Sequence, residues 1–112
     1  MKLIKAQDAS SQPVSHSPEI QKSVYINDDE IPGLTNFSSA VLKPGDAVGT
    51  HSHDTKYEIF YVEKGELECI VNGKTYIVHG GDTLYVEPNE SHELTNKGKF
   101  PARIIYFGVS TV

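Results

Sequence analysis

The sequence predicts an all-β domain, either a sandwich or a barrel, and three observations support this prediction. Short runs rich in β-branched and aromatic residues recur about every 8 to 12 residues from Phe37 onward. Turn-forming residues, mostly Gly, Pro and Asn, separate these runs. Few stretches keep apolar residues at helical spacing without an intervening Gly or Pro, so no helix is predicted.

The first part of the chain is predicted to be less regular than the rest. Residues 1–20 are polar, with Ser, Gln and Pro, and are interpreted as a loose N-terminal arm. The sequence VYI at 24–26 is a candidate short strand, and the Asp, Pro and Gly residues between 28 and 33 mark a loop after it.

The remainder is predicted to consist of strands joined by turns. The strand candidates, in chain order, are FSSAVL, EIFYVEK, ELECIV, KTYIV, TLYVE, SHELTN and ARIIYFGV. Asn72-Gly73 is the strongest hairpin signal, because both residues accept the positive φ of a type I′ turn. Within ELECIV, Leu67, Cys69 and Val71 are predicted to face the core, and the alternating glutamates to face water.

The composition indicates one globular domain over residues 1–112 and limits its partners. The formal net charge is −5 and Arg103 is the only arginine, so a nucleic-acid surface is not expected. No apolar run approaches the roughly 20 residues that span a membrane, and the first residues lack a signal-peptide core. Cys69 is the only cysteine, which excludes an intramolecular disulfide and makes a reduced, cytoplasmic setting the expectation.

Two histidines stand close together in the sequence HSHDTKYEIF. On a strand, His51 and His53 would point to the same face, where both imidazoles could bind one ion. Glu58 lies at an odd offset and joins them only if the chain reverses at 54–56. His92, after the turn at 88–89, is a candidate fourth ligand. An HxH pair alone is a weak metal signal, since histidines are more often surface or hydrogen-bonded core residues.

The spacing of these residues matches a known motif. Gly45 is followed by five residues, His51-x-His53, four residues, Glu58, six residues and Gly65. This order resembles the first motif of the cupin superfamily, which is glycine, five residues, His-x-His, three or four residues, glutamate, six residues and glycine. Every fixed position of that motif is present.

A second segment resembles the second cupin motif. Gly81, His92 and Asn96 stand at the motif's first glycine, histidine and final asparagine. Glu87 replaces the motif's proline and Asn89 replaces its inner glycine. Because Asn tolerates left-handed backbone better than most residues, the turn is predicted to survive.

The resemblance covers about residues 37–108 and implies a single cupin domain with a jelly-roll β-barrel, or double-stranded β-helix. It also implies that His51, His53, Glu58 and His92 bind one divalent transition metal ion. Imidazole suits Mn, Fe, Zn, Ni or Cu better than Mg or Ca.

Three functions fit this resemblance. The first is a small metalloenzyme of the oxygenase, decarboxylase or isomerase type, acting on an oxygen-bearing small molecule. The alternative is a cupin that binds or senses a small molecule without turnover. A barrel without metal is disfavoured, because a buried His and Glu cluster would need other partners.

The same alternation predicts the pocket around the ion. Phe60 and Val62 would share the face of the glutamate ligand, and Leu94 and Asn96 the face of the third histidine. Arg103 could hold a substrate carboxylate if it faces inward, or lie outside, since its strand fits either parity.

Two further histidines match neither motif, and neither is predicted to be a ligand. His79 is predicted to be exposed at a Gly-Gly turn. His16 lies in the arm, which could fold over the barrel mouth or exchange with a second subunit. A homodimer is expected, with 24–26 as the strand that adds to the partner's sheet.

Overall fold

The computed structural model describes all 112 residues and is built almost entirely from strands. One 3-10 helix, Ala6–Asp8, precedes ten strands. The strands are β1 (Ser10–Val14), β2 (Ser17–Ile26), β3 (Phe37–Leu42), β4 (Ala47–His51), β5 (Lys56–Lys64), β6 (Glu66–Val71), β7 (Lys74–His79), β8 (Thr83–Val86), β9 (His92–Thr95) and β10 (Ala102–Ser110). The all-β prediction is confirmed. No helix has the length and hydropathy needed to cross a membrane.

The strands form two antiparallel sheets. The larger sheet has the order β1-β2-β3-β10-β5-β8, and the smaller has the order β4-β9-β6-β7. This arrangement is consistent with a jelly roll. The barrel part of the predicted jelly-roll β-barrel needs correction. No strand pairing joins the two sheets, and each sheet keeps two edge strands. The fold is a two-layer sandwich that encloses its core between the layers.

The core comes from the inward-facing positions of both sheets. Leu42 and Val62 of the larger sheet are 0% and 1% exposed, and Leu67 and Cys69 of the smaller sheet are 1% and 2% exposed. These side chains belong to one buried apolar cluster. The alternation in ELECIV therefore predicted the buried residues correctly, although Val71 at its end is only half-buried.

The N-terminal segment differs from the predicted loose arm. Strands β1 and β2 form a hairpin, and β2 also pairs with β3, so that Val24 lies between Ser10 and Ser38. The prediction that 24–26 extends a partner's sheet is therefore wrong at Val24, which has neighbours on both sides within its own chain. The polar composition of residues 1–20 suggested an arm, but a strand of an antiparallel sheet with one face in water can be polar at every second position.

The predicted turns are present with the backbone that they require. Asn72 and Gly73 have φ values of 49° and 80° and join β6 to β7 as a tight hairpin. Asn89 has a φ of 69°, which confirms that Asn replaces the motif's glycine in left-handed backbone. At Gly65, which has a φ of 90°, a Cβ atom would lie 2.8 Å from the Ala102 backbone, so only glycine fits this approach.

Candidate metal centre and its cavity

Four predicted ligand residues meet where the two sheets face each other. His51 ends β4 and lies opposite His92, which begins β9. His53 follows β4 directly, and Glu58 comes from β5 in the other sheet. One ligand atom from each residue can be chosen so that all four atoms lie within 4.8 Å of one another. The chain reversal after His53 thus brings the glutamate onto the histidines' side, as the spacing predicted.

Backbone carbonyls orient two of the imidazoles. The Nδ1 atom of His51 lies 2.8 Å from the Gly49 carbonyl oxygen, and the Nδ1 atom of His92 lies 2.9 Å from the Glu90 carbonyl oxygen. A carbonyl oxygen can only accept a hydrogen bond, so each Nδ1 carries the proton and donates it. In the neutral rings the Nε2 lone pair is therefore free to bind a cation.

Glu58 provides the negative charge of the cluster. Its Oε1 atom lies 3.2 Å from the Nε2 atom of His92 and 3.4 Å from the Nε2 atom of His53. When His92 is neutral, its Nε2 atom and this oxygen are both acceptors. Two acceptors this close need a cation between them, which is either a proton on His92 or a metal ion.

The four side chains fit a divalent transition metal ion. Nitrogen and oxygen ligands lie about 2.0–2.2 Å from such ions, which places neighbouring ligand atoms about 3 Å apart and opposite ones about 4.3 Å apart. The 4.8 Å limit on the cluster allows these separations after small side-chain rotations. His92 and Glu58 are 2% and 9% exposed, so water competes poorly for the same positions.

The protonation of the cluster follows from burial and the carboxylate. Burial lowers the pKa of His51 and of His53 below the ordinary histidine value, which favours neutral rings. Burial also acts to lower the pKa of His92, but its hydrogen bonds to Glu58 and to the Glu90 carbonyl outweigh burial and raise it. Burial acts to raise the pKa of Glu58, but the neighbouring His92, Lys56 and His53 outweigh burial and lower it.

Three residues of the cluster, His51, His53 and Glu58, line a cavity of about 830 Å³. Phe60 and Leu94 line this cavity, as the sequence predicted, and Val48 and Ile104 extend its apolar surface. The size and mixed lining are those of a small-molecule site rather than of a packing defect.

Val62 and Asn96, two residues of the predicted pocket, do not line the cavity. Val62 is 1% exposed and belongs to the core cluster, without lining the cavity. Asn96 is 0% exposed, and its amide donates hydrogen bonds to the carbonyl oxygens of Leu42 and Phe100 at 2.8 Å and 2.9 Å. The amide therefore holds a loop against the sheet rather than facing a ligand.

Arg103 requires a correction as well. Its neighbours Ala102 and Ile104 are 0% and 2% exposed and face the core, so alternation along β10 places Arg103 outside. There its guanidinium forms an ion pair with Glu63 at 2.8 Å. It does not line the cavity and cannot clamp a substrate there.

The structure adds cavity residues that sequence reasoning missed. His16, in the β1–β2 turn, stacks on His51 with ring centroids 4.5 Å apart and an angle of 21° between the planes. The segment interpreted as an arm thus reaches the cavity mouth within its own chain. Lys22 of β2 and Tyr106 of β10 also line the cavity. The available signal was the spacing of Lys22, which lies two residues from both Ile20 and Val24 and so shares their face on a strand. Placing the arm at 1–20 and the strand at 24–26 hid this spacing.

His79 lies at the surface, unlike the histidines of the cluster. Its side chain is 62% exposed and lies 3.3 Å from Glu66, as expected for a surface ion pair. The prediction that His79 is exposed is confirmed.

Comparison with known proteins identifies the family. The sequence family described as the cupin domain (Cupin_2) matches residues 38–108. The chain belongs to the cupin family. Among curated relatives, the Oxalate-binding protein of Thermotoga maritima is 37% identical over 62 residues, which cover 55% of this chain and 51% of that protein.

A second curated relative carries a different name. The Tetracenomycin polyketide synthase protein TcmJ of Streptomyces glaucescens is 31% identical over 65 residues, which cover 58% of this chain and 44% of that protein. This cupin thus matches about half the length of these curated relatives.

Solved structures support the fold. A protein described as a predicted oxalate decarboxylase from Thermotoga maritima matches with a TM-score of 0.87 at 21% identity, covering 97% of this chain and 99% of the other. KdgF from Halomonas sp. matches with a TM-score of 0.78 at 19% identity, covering 97% and 94%. At these identities the similarity shows the fold alone.

Proposed function

We propose that this cupin binds one divalent transition metal ion through His51, His53, Glu58 and His92. The observation that carries the proposal is the 3.2 Å approach of the Glu58 Oε1 atom to the His92 Nε2 atom, whose ring is oriented by a backbone carbonyl. Three neutral imidazoles and one carboxylate leave up to two positions of an octahedral ion for a ligand.

The ligand of this centre is proposed to be a small oxygen-bearing molecule held in the adjoining cavity. When bound, the ion would act as a Lewis acid toward an oxygen atom of that molecule. Phe60 and Leu94 would exclude water beside the ion, and His51 and His92 would keep their free nitrogen atoms directed at it. A metalloenzyme of the oxygenase, decarboxylase or isomerase type is the activity that this arrangement supports best.

Binding without turnover is the second candidate. It is favoured by the relative named Oxalate-binding protein, since that name describes binding of a small molecule with several oxygen atoms. The two candidates share the same site and differ only in whether the ligand changes chemically.

The metal proposal is tested by elemental analysis of protein purified without chelator and after reconstitution with Mn, Fe, Ni, Cu or Zn. The wild-type chain is expected to hold about one equivalent of ion, and His92→Ala is expected to lose it. His79→Ala is the matched control, because this histidine is exposed and outside the cluster. Less than a tenth of an equivalent in the reconstituted wild-type protein would refute the proposal.

Turnover is tested separately with the metal-loaded protein. Small carboxylates, diols and enols are screened for ligand-induced stabilisation, O₂ consumption and product formation. Product formation that is lost in His92→Ala supports the enzyme. Stabilisation without any product assigns the chain to the binding candidate.

A homodimer in a reduced, cytoplasmic setting is also proposed. Three tyrosines on the outer face of the larger sheet, Tyr57, Tyr61 and Tyr85, are 37%, 39% and 62% exposed and offer an apolar contact surface. Cys69 is buried, and burial raises the pKa of its thiol to about 11, so it needs no disulfide partner. A monomeric mass by light scattering at micromolar concentration would contradict the dimer.

A further inference from the structure

Lys22 is an unusual residue on the inner face of β2. It is 8% exposed and lies on the same face as Ile20 and Val24, which are 3% and 2% exposed and face the core. Its partner on β3 is the small residue Ala40, which leaves space above the sheet. Lys22 itself lines the cavity beside the metal centre. A lysine at an inward position is rare unless its ammonium group has a partner.

The ammonium group of Lys22 has no such partner in the protein. None of the side-chain hydrogen bonds or ion pairs of the chain involves it. Burial lowers the pKa of Lys22 and the positive charge of Lys56 acts in the same direction, whereas the negative charges of Glu58 and Asp28 oppose them. The Nζ atom is not among the fully buried unpaired atoms of the protein, so it is accessible from the cavity that Lys22 lines. An inward-facing lysine whose ammonium group has no partner in the protein points to a ligand in that cavity.

Tyr106 presents a second donor without a partner in the same cavity. Its hydroxyl oxygen makes no hydrogen bond and has almost no accessible surface, so it meets a ligand only after a small shift of the neighbouring side chains. Its ring stacks on Phe60, with centroids 5.9 Å apart and an angle of 20° between the planes, so the side chain is held in place. β3 separates the strands of Lys22 and Tyr106, and these strands lie about 10 Å apart across the sheet. The register places Tyr106 level with Val24, which is the next inward position along β2 from Lys22.

The charge that the site would carry with a metal ion bound also favours an anionic ligand. A divalent ion bound by three neutral histidines and Glu58 would carry one net positive charge, and Lys22 adds another. The acidic residues that line the cavity, Asp28, Asp29 and Asp54, are exposed, where water and salt screen their charges. The interior of the cavity therefore favours an anion.

We propose that Lys22 and Tyr106 recognise a carboxylate group, and that the ligands of this cavity are small carboxylate anions. The ammonium group of Lys22 donates hydrogen bonds to the carboxylate oxygens, and the Tyr106 hydroxyl donates another. This inference rests on the proposed ligand site, and it names the ligand class and two residues that select it.

The test compares Lys22→Met with wild type and with Lys99→Met, in which an exposed lysine outside the cavity is replaced. Each protein is reconstituted with Mn²⁺, its ion content is measured, and its affinities for oxalate, malonate and the neutral oxamide are measured by calorimetry. Wild type and Lys99→Met are expected to prefer a dianion to oxamide by about tenfold or more. Lys22→Met is expected to bind that dianion about tenfold more weakly, with unchanged ion content.

A second measurement separates recognition from folding. Because the Lys22 ammonium group has no partner in the protein, Lys22→Met should not lower the melting temperature of the ligand-free protein, while it should reduce the stabilisation by the dianion. Tyr106→Phe removes only the hydroxyl group, and about threefold or greater weakening of dianion binding is expected. This conservative variant tests the inference if Lys22→Met does not fold.

The results distinguish this inference from the metal proposal. If wild type holds no ion, the metal proposal fails, and the effect of Lys22→Met on dianion binding is measured in the metal-free protein. If Lys22→Met and Tyr106→Phe both bind the dianions within twofold of wild type, the inference is overturned. Equal affinity of wild type for oxalate, malonate and oxamide would also overturn it.

Discussion

The two sheets contribute different chemistry to the same cavity. From the smaller sheet come His51 and His92, whose rings are held by backbone carbonyls at 2.8 Å and 2.9 Å. From the larger sheet come the carboxylate of Glu58, the ammonium of Lys22 and the hydroxyl of Tyr106. Two of these three groups have no hydrogen-bond partner in the protein, in contrast to the oriented imidazoles. Under the metal proposal, the smaller sheet provides oriented imidazoles for the ion, and the larger sheet provides its carboxylate and the groups proposed to select the ligand.

The largest effect is expected from removing the charge that the larger sheet gives to the ion. Glu58→Gln keeps the side-chain shape but leaves the three histidines without a carboxylate. Metal affinity should fall about 100-fold or more, since even indirect supports of a metal ligand contribute 10- to 100-fold. Competition with a fluorescent chelator measures this loss.

Glu63→Gln is the control for that experiment. Glu63 lies on the same strand but is exposed and pairs with Arg103 outside the cavity. Metal affinity of Glu58→Gln within threefold of wild type would mean that the smaller sheet and its adjoining loop hold the ion alone.

Lowering the pH should weaken metal binding by protonating the histidines. Burial keeps the pKa of His51 and of His53 low. The pKa of His92 is raised despite its burial, so a proton on His92 is the first to compete with the ion as the pH falls. Affinity should therefore begin to fall above the ordinary histidine value of about 6.5, as His92 is protonated, and fall further below it as His51 and His53 are protonated. Calorimetric titrations between pH 5.5 and 8 would show it, and unchanged affinity across that range would contradict three-histidine ligation.

The metal-free protein should show a different pH dependence. The raised pKa of His92 means that its proton stabilises the fold below the unfolded-state value near 6.5, and this contribution is lost as the pH rises through the raised pKa. The lowered pKa of Glu58 contributes stability above about 4.3, which is lost as the pH falls through the lowered pKa. Stabilisation by the metal should therefore increase with pH, which melting curves with and without metal would measure.

Asn96→Ala should destabilise the fold without removing the ion. The Asn96 amide is fully buried and donates to two backbone carbonyls, so its loss should cost about 1–3 kcal/mol in the free energy of unfolding. Urea denaturation measures this cost, and elemental analysis should still find about one equivalent of ion. Loss of the ion from folded Asn96→Ala would show that this motif residue supports the metal centre directly.

The smallest effect is expected at the cavity mouth. His16 stacks on His51 but is exposed and lies outside the four-residue cluster. His16→Ala should keep the ion and weaken binding of a small carboxylate by no more than about fivefold, because one exposed ring contact is lost. A complete loss of metal from this variant would make His16 a fifth ligand.

Much of the smaller sheet and its metal residues could be predicted because their signals are local. The Asn72-Gly73 turn needs only two adjacent residues, and the HxH spacing keeps two rings close together, although His53 lies beyond the end of β4. His92 was a candidate from its place after the 88–89 turn, and the resemblance to the cupin motifs supported it as the fourth ligand, although its contact with Glu58 is long-range in sequence. The structure brings these residues together as that resemblance implied.

The larger sheet was less predictable because its faces depend on pairing. Arg103 could lie on either face of its strand, and only the pairing of β10 with β3 and β5 places Ile104 inward and Arg103 outward. Lys22 lies between the predicted arm at 1–20 and the predicted strand at 24–26, where no element was predicted. Its inward orientation follows from the pairing of β2 with β3.

By itself, the sequence determined the all-β class, the positions of the turns and a set of four candidate metal ligands that the structure brings together, because these depend on spacing and local backbone preference. The tertiary structure alone decided that the sheets form an open sandwich, that His16 reaches the cavity mouth, and that Lys22 and Tyr106 face its interior. Those outcomes depend on which strands pair and in which register. A shift of one residue in register turns each side chain of a strand to the opposite face.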